Sequence, residues 1–431
     1  MTANPEIDSI LQRAADGARI TADEALLLYT DAPFHALGEA ADAIRRRRYP
    51  DGIVTYLIDR NINYTNVCVT ACKFCAFYRA PKHAEGWSHP MEEILHRCGE
   101  AVELGATQVM LQGGHHPDYG VEYYENLFSS VKTAYPQLVI HSIGPSEILH
   151  MAKVSGVEIE EAVVRIKAAG LDSIAGAGAE MLPDRPRKAI APLKESGARW
   201  LEVMAIAHRN GLSSTATMMM GTGETAAERI EHIRMIRDVQ DLAVGNGYRD
   251  VPIETSHGVG GPSVRSGAVG GAVGGGFRAF IPWTYQSENN HLKGRTQATT
   301  LEYLRFIAVS RLFFDNVAHL QASWLTTGKD VGQLALHLGV DDLGSIMLEE
   351  NVMSSAGARH RSNLHELIGM IRTAGRIPAQ RNTLYRHLAV HHTAADDPTD
   401  ERVVSHFSSI ALPGGGAGAE SRTMLPLVES R

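Results

Sequence analysis

Cysteine is scarce in this chain, with four residues in 431, far too few for a disulfide scaffold. Basic residues are not in excess: 41 Lys and Arg stand against 49 Asp and Glu, a net charge of −8. That balance argues against nucleic acid or an anionic membrane as the main partner. No apolar run approaches the ~18 residues needed to span a bilayer, so membrane insertion is not expected. The first ten residues, Met1 to Ile10, lack the basic stretch and apolar core of a secretory signal, and the expected location is the cytoplasm. No G-x-G-x-x-G turn opens the α/β region, which weighs against a doubly wound nucleotide-binding sheet. The glycine-rich stretch Gly258–Gly276 has no Lys-Ser/Thr, so it is not a P-loop and reads as a linker.

What the chain does have is a globular composition, 44% hydrophobic, and an excess of glycine, 41 residues. Nine of these glycines fall in Gly258–Gly276 and four in Gly414–Gly418, so the remainder is near ordinary usage. Residues 1–50 read as helices. Ile7, Ile10, Leu11 and Ala14 form one stripe, Thr21 caps a second helix through Leu28, and a third runs from His35 to Arg46. The basic run Arg45 to Arg48 reads as a solvated helix end. Over residues 51–350, eight short β runs alternate with amphipathic helices: 62–66, 108–112, 138–143, 173–179, 214–220, 278–283, 319–324 and 344–348. Eight strands spaced by helices predict an α/β chain folded as a (β/α)8 TIM-type barrel. A mobile insertion is expected near 243–276, a C-terminal extension packed on the barrel over 351–391, and a flexible tail over 392–431.

Three of the four cysteines, Cys68, Cys72 and Cys75, lie in C-x3-C-x2-C spacing just after the first expected strand. Three thiolates on one tight loop suit three corners of a cubic iron–sulfur cluster and leave the fourth iron open. Two other uses of the thiols compete. A structural zinc would need Cys98 or a histidine as fourth ligand. A redox pair made of Cys72 and Cys75 would leave Cys68 unexplained. Cys98 itself reads as a small core residue on a helix.

The cysteine spacing, with the barrel, resembles the radical S-adenosylmethionine superfamily. The flanks narrow the likeness: Asn63-Tyr64-Thr65-Asn66 before the loop, Ala76-Phe77-Tyr78-Arg79 after it, Gln112-Gly113-Gly114-His115-His116-Pro117, His141-Ser142-Ile143-Gly144-Pro145, Gly176-Ala177-Gly178-Ala179-Glu180, Phe280-Ile281-Pro282-Trp283-Thr284 and Gln321-Ala322-Ser323-Trp324. Together, over about residues 40–390, these resemble the dehypoxanthine futalosine cyclase family of the futalosine route to menaquinone. The glycine-rich insertion is a departure from that family. Neighbouring families are the aminofutalosine synthases and the radical halves of the deazaflavin (F420 chromophore) synthase. A zinc-stabilised, non-catalytic barrel is the remote alternative.

The resemblance implies a [4Fe-4S] cluster on Cys68, Cys72 and Cys75, S-adenosyl-L-methionine on the open iron, and a 5′-deoxyadenosyl radical that takes hydrogen from ribose C4′ of dehypoxanthine futalosine. Ring closure on the benzoate and loss of one electron and one proton would follow. It also implies an electron donor such as flavodoxin or ferredoxin. For the cofactor it points to Phe74 beside the adenine, Gly113 and Gly114 at the methionine amino group, and Glu180 at ribose hydroxyls or that amino group. Arg185 or Arg187 could pair with the methionine carboxylate. His115 and His116 are candidates for the base that takes the final proton, because imidazole titrates near neutrality. For the substrate, Arg79 could meet its carboxylate, His141 and Ser142 could reach it, and Trp283, Tyr285 and Trp324 could wall its aryl group.

Overall fold

The computed structural model describes residues 4–244, 275–292, 295 and 297–406. The expected insertion near 243–276 and the end of the tail, residues 407–431, fall almost wholly outside these residues.

Seven strands form one parallel sheet in sequence order: β2 (Asp59–Asn63), β3 (Gln108–Gln112), β4 (Val139–Ser142), β5 (Ser173–Ile174), β6 (Ser213–Met220), β7 (Phe277–Thr284) and β8 (His319–Leu320). A second sheet joins β1 (Ile53–Leu57), β9 (Asp342–Ser345), β10 (Ile377–Arg381) and β11 (His387–Val390). Backbone bonds connect the two. Ala322 N–H donates to the Asp342 carbonyl (3.0 Å) and Asp341 N–H to that of Leu320 (3.2 Å). On the other side Ile346 N–H reaches Leu57 (3.0 Å), Leu348 N–H reaches Asp59 (2.9 Å), and Asn61 N–H reaches Glu349 (3.3 Å). With β1 and β2 counted as one strand interrupted at Ile58, eight parallel strands close a (β/α)8 barrel.

The elements differ from expectation where polar residues are buried or glycine interrupts. The first barrel strand lies earlier than 62–66 because Asp59, Arg60 and Asn61 are buried, and the charges of Asp59 and Arg60 meet partners there. Asp59 accepts from Gln108 Nε2 (2.7 Å), and Arg60 pairs with Glu349 (2.7 Å) and Glu100 (2.6 Å). The strand expected over 173–179 stops at Ile174, and Gly176 N–H donates to the Thr215 side-chain Oγ1 (3.0 Å) in place of a ladder carbonyl. That expected over 319–324 stops at Leu320, and Trp324 opens a short helix, Trp324–Thr327. Helices Pro145–Ser155 and Gly197–Arg209 were not anticipated. The apolar face of Gly197–Arg209 shows only once Trp200, Val203, Met204 and Ala207 are packed.

Three N-terminal helices, Pro5–Ala15, Ala22–Asp31 and Phe34–Arg48, pack beside helices Ala226–Val244 and Thr300–Phe313. Thr21 caps the second with a reciprocal bond to Glu24. The Arg45–Arg48 run is not simply a solvated end. Arg45 is 1% exposed and bonded to Asp42 (2.8 Å), and Arg48 donates to the carbonyls of Phe314 (2.8 Å) and Val317 (3.0 Å), pinning the helix to the barrel. At the other end of the chain, β10 extends β1 in parallel. Residues 392–406, expected within a flexible tail, run back along the barrel. Val403 is buried, and His406 N–H donates to the Leu348 carbonyl (3.2 Å).

Candidate active site

The cysteine loop leaves β2 and is tied down by backbone bonds on both sides. Cys68 N–H donates to Arg79 (2.9 Å), Arg79 N–H to Asn66 (2.7 Å), Val69 N–H to His115 (3.1 Å) and Lys73 N–H to Ile190 (2.9 Å). Ala71, between the first two cysteines, takes φ +47°, a turn conformation that costs a non-glycine residue energy and bends the loop tightly. Cys72 and Cys75 pack with Ile190, Ala191, Met219, Tyr285 and Leu292. Burial pushes the Cys72 thiol up to about 12 and the Cys75 thiol up to about 11. Thiols held that high are poor free nucleophiles, which disfavours thiol–disulfide exchange, whereas a bound cation reverses the penalty. Cys98 is fully buried in the main core on helix Met91–Glu103, away from this small cluster, as a core residue would be.

A cavity of about 280 Å³ runs from this loop across the C-terminal ends of the strands. Phe74 and Cys75 line one end. Glu180, His141, Trp283, Tyr285 and Trp324 line it too, so the structure gathers seven of the sequence candidates around one space. Glu180 takes φ +40° and its backbone carbonyl accepts from Met219 N–H (2.8 Å). Its Oε1 meets Lys194 Nζ at 3.0 Å, and its Oε2 is buried with no hydrogen-bond partner. A strained carboxylate with one idle buried oxygen, beside three thiols, fits a ligand that carries hydroxyl or ammonium donors. His141 donates to or accepts from Ser173 Oγ through Nδ1 (2.7 Å). Burial, with Arg278 and Arg381 nearby, keeps its ring neutral far below the usual histidine range.

The other candidates sit outside this cavity and brace it. Gly113 and Gly114 end β3, but their bare Cα atoms face the protein: a methyl on Gly113 would overlap the Tyr64 ring, and one on Gly114 would overlap the Val67 carbonyl and crowd Cys68. His115 Nδ1 bonds Thr70 Oγ1 (2.6 Å), and burial with Lys194 and His150 pushes its ring down to about 3, so it holds the loop as a neutral clamp. His116 stacks on Tyr119 (4.1 Å between ring centres). Ser142 Oγ bonds the Leu111 carbonyl. Arg79 pairs with Glu85 (2.7 Å) and donates to the carbonyls of Ala76 (3.2 Å) and Tyr78 (3.0 Å), closing the cysteine loop. Arg185 is 60% exposed at its side chain and pairs with Glu228, while Arg187 is buried on Glu195 (2.6 Å) and the Ala179 carbonyl (2.7 Å). Arg185→Ala is therefore expected to leave cofactor affinity within about twofold of the wild type, measured by calorimetry on the iron-loaded protein.

Several lining residues had no motif to flag them. Asn61 Nδ2 donates to Gln112 Oε1 (3.2 Å), and Asn61 Oδ1 is buried without a partner. Glu350, which no motif flags, and Gln321 and Ser323, which lie in the Gln321–Trp324 motif, add to the polar lining. Lys194 is set by the loop after helix Asp184–Ile190 and shows no signal in spacing. Burial favours its neutral amine, but Glu180 and then Cys72 outweigh that and hold it charged.

A parallel barrel with three cysteines on the loop after its first strand, and an idle carboxylate across the mouth, defines the radical S-adenosylmethionine class. Residues 62–236 match the radical SAM superfamily, and residues 274–394 match the CofH/MqnC C-terminal region. The chain is 64% identical to the cyclic dehypoxanthine futalosine synthase of Streptomyces coelicolor, over 99% of this chain and 100% of that one. It is 39% identical to the enzyme of the same name from Halalkalibacterium halodurans, over 88% and 94%. A 5-amino-6-(D-ribitylamino)uracil–L-tyrosine 4-hydroxyphenyl transferase of Methanosarcina mazei is 38% identical over 88% and 93%. This chain belongs to the cyclic dehypoxanthine futalosine synthase family. The fold agrees with that of methylornithine synthase, at 18% identity and TM-score 0.63 over 86% of this chain and 97% of that one. It agrees also with the FeFe-hydrogenase maturase HydG of Carboxydothermus hydrogenoformans, at 16% identity and TM-score 0.64 over 88% and 81%.

Proposed function

We propose that this enzyme converts dehypoxanthine futalosine to cyclic dehypoxanthine futalosine in menaquinone biosynthesis. The observation that carries the reading is one cavity whose lining includes Cys75 and Phe74 together with Trp283 and Trp324. Cofactor and an aryl-ribose substrate would share one enclosed space there. Cys68, Cys72 and Cys75 are the residues that would hold a [4Fe-4S] cluster. With S-adenosyl-L-methionine, that cluster supplies a 5′-deoxyadenosyl radical able to take hydrogen from ribose C4′.

The chain's own residues do the rest. Glu180 Oε2 would accept from the cofactor's hydroxyl or amino donors, and Lys194, 3.0 Å from Oε1, would hold that carboxylate in place. Phe74, which lines the same cavity, would pack against the adenine. Asn61 and Gln112 present an acceptor and a donor at the depth where a substrate hydroxyl would lie. Trp283 and Trp324 hold the aryl ring near the ribose and exclude water, so a carbon radical meets the ring before it meets a stray hydrogen donor. The net change is loss of two hydrogens: one atom to 5′-deoxyadenosine, then one proton and one electron as aromaticity returns. A small electron-transfer protein such as flavodoxin or ferredoxin would reduce the cluster.

The test is a substrate panel. The chain, reconstituted anaerobically with iron and sulfide, is given S-adenosylmethionine, dithionite and one of three substrates: dehypoxanthine futalosine, the aminofutalosine synthase substrate, or tyrosine with 5-amino-6-(D-ribitylamino)uracil. Mass spectrometry should find 5′-deoxyadenosine and a product two mass units lighter than substrate only with the first. Turnover of either other substrate at a higher rate would move the chain to that neighbouring activity.

A further inference from the structure

Loss of the ring proton needs an acceptor, and both histidines that the sequence offers lie off the cavity. The titratable side chains that do line it, among the described residues, are Cys75, His141, Glu180, Tyr285 and Glu350. Cys75 belongs to the cluster loop, and Glu180 is paired with Lys194 on the cofactor side. Tyr285 donates to Asn290 (2.6 Å), which fixes it as a donor. His141 lies beside two arginines that oppose a third positive charge, so it takes a proton poorly. Glu350 remains.

Glu350 follows β9, at the end of the barrel where catalytic groups of this fold gather. Its carboxylate is held by three backbone N–H groups: Val352 (2.9 Å) and Met353 (2.8 Å) on Oε1, and Ser354 (2.9 Å) on Oε2. A carboxylate offers about four acceptor positions, so one is left. Val352 and Met353 line the same wall, which fixes the acid at the cavity without a flexible side chain to reorganise. The neighbouring Glu349 is taken up by Arg60 (2.7 Å) and Arg97.

We propose that Glu350 accepts the proton released when the aryl ring regains aromaticity. The assignment rests on the reaction proposed above. Once the ribose carbon has bonded to an aryl carbon, that carbon still bears its hydrogen, and five π electrons are spread over the ring. The C–H bond breaks, its proton goes to Glu350, and its electron pair joins the ring. One electron then leaves to a one-electron oxidant of the iron–sulfur class, and six π electrons remain. The carboxylic acid returns its proton to solvent before the next turnover. Burial, with some help from Glu349, raises the Glu350 carboxyl to about 7, where it can both take and release a proton at neutral pH. Burial raises Glu147 as far, yet Glu147 caps the Gly144 N–H (2.9 Å) and does not line the cavity, so geometry and not acidity selects Glu350.

The experiment uses Glu350→Gln in the iron-loaded enzyme and counts cyclic product per 5′-deoxyadenosine. The expected result is normal iron content, 5′-deoxyadenosine release within a few-fold of wild type, and a product ratio at least about tenfold lower. The stalled ring-closed radical, reduced by one electron from the assay's dithionite and protonated by solvent, should appear as an isomer of the substrate, ring-closed but not dehydrogenated. Glu350→Asp, which keeps a carboxylate should the amide disturb the turn, is expected to lower the ratio less and to keep the melting temperature. An unchanged ratio in both variants overturns the proposal. A fall in 5′-deoxyadenosine that matches the fall in product also overturns it, because that is what a purely structural residue would do. If the wild type itself forms no cyclic product, the substrate is wrong and the assignment falls with it; a ratio unchanged beside an active wild type removes Glu350 alone.

Discussion

Replacing Cys72 by alanine is expected to abolish iron loading and to lower 5′-deoxyadenosine release at least about 10³-fold, while far-ultraviolet circular dichroism stays that of the wild type. Cys72 is 9% exposed and packs in a small apolar group with Ile190, Met219 and Tyr285, separate from the main core. The barrel therefore keeps its own packing, and what is lost is one of the three thiolates that would hold the cluster. Cys98→Ala is the paired control. Its thiol lies in the core on helix Met91–Glu103, so iron per chain should stay at about four and the melting temperature should drop by a few degrees. A zinc site using Cys98 as fourth ligand predicts the reverse. The thiols of Cys72 and Cys75 are raised by burial to about 12 and 11, so cluster binding must release their protons. Loading should accordingly proceed faster at pH 8.5 than at pH 7.

The cysteine loop was legible because its chemistry is local: three ligands within eight residues need no tertiary information. The barrel was legible because its strands and outer helices repeat a simple pattern. What escaped was what the barrel interior decides. Asp59 and Arg60 carry charges that argue against a strand, yet they form one, because Gln108, Glu349 and Glu100 meet them inside. The Gly113-Gly114 pair read as a place for a ligand's close approach, whereas the close approach is by Tyr64 and Val67 of the chain itself. Arg185 and Arg79 are ordinary cations in sequence, and only placement shows that one sits outside on Glu228 and the other ties off the cysteine loop. Glu350 and Lys194 have no motif at all. Each gains meaning from a neighbour far away in the chain or from three backbone donors that a short helix happens to aim at it.

Glu180→Gln is expected to have the second-largest effect, and it separates two roles that one residue combines. The Glu180–Lys194 pair is buried, with side chains 10% and 7% exposed. Removing the negative charge leaves an ammonium in a cavity wall, and breaking such a pair costs about 3–5 kcal/mol where nothing replaces the partner. The glutamine carbonyl still accepts from Lys194, so a smaller loss of about 2 kcal/mol is expected, read as a melting temperature lower by about 2 °C. Oε2 is the second role. It is buried and has no partner in the chain, so a donor on the cofactor would find a charge-assisted acceptor there. Losing it should weaken S-adenosylmethionine binding to the iron-loaded enzyme by about 10- to 100-fold in calorimetry, since each 1.4 kcal/mol is tenfold. The double variant Glu180→Gln with Lys194→Met decides between the roles. Apolar packing can replace a buried ion pair at little cost, so stability should return. Affinity should not return, because the freed amide carbonyl of the introduced glutamine is a neutral acceptor and lacks the charge-assisted bond of the carboxylate. If affinity recovers along with stability, Glu180 serves only as the counter-ion of Lys194, and the idle oxygen is not the cofactor's.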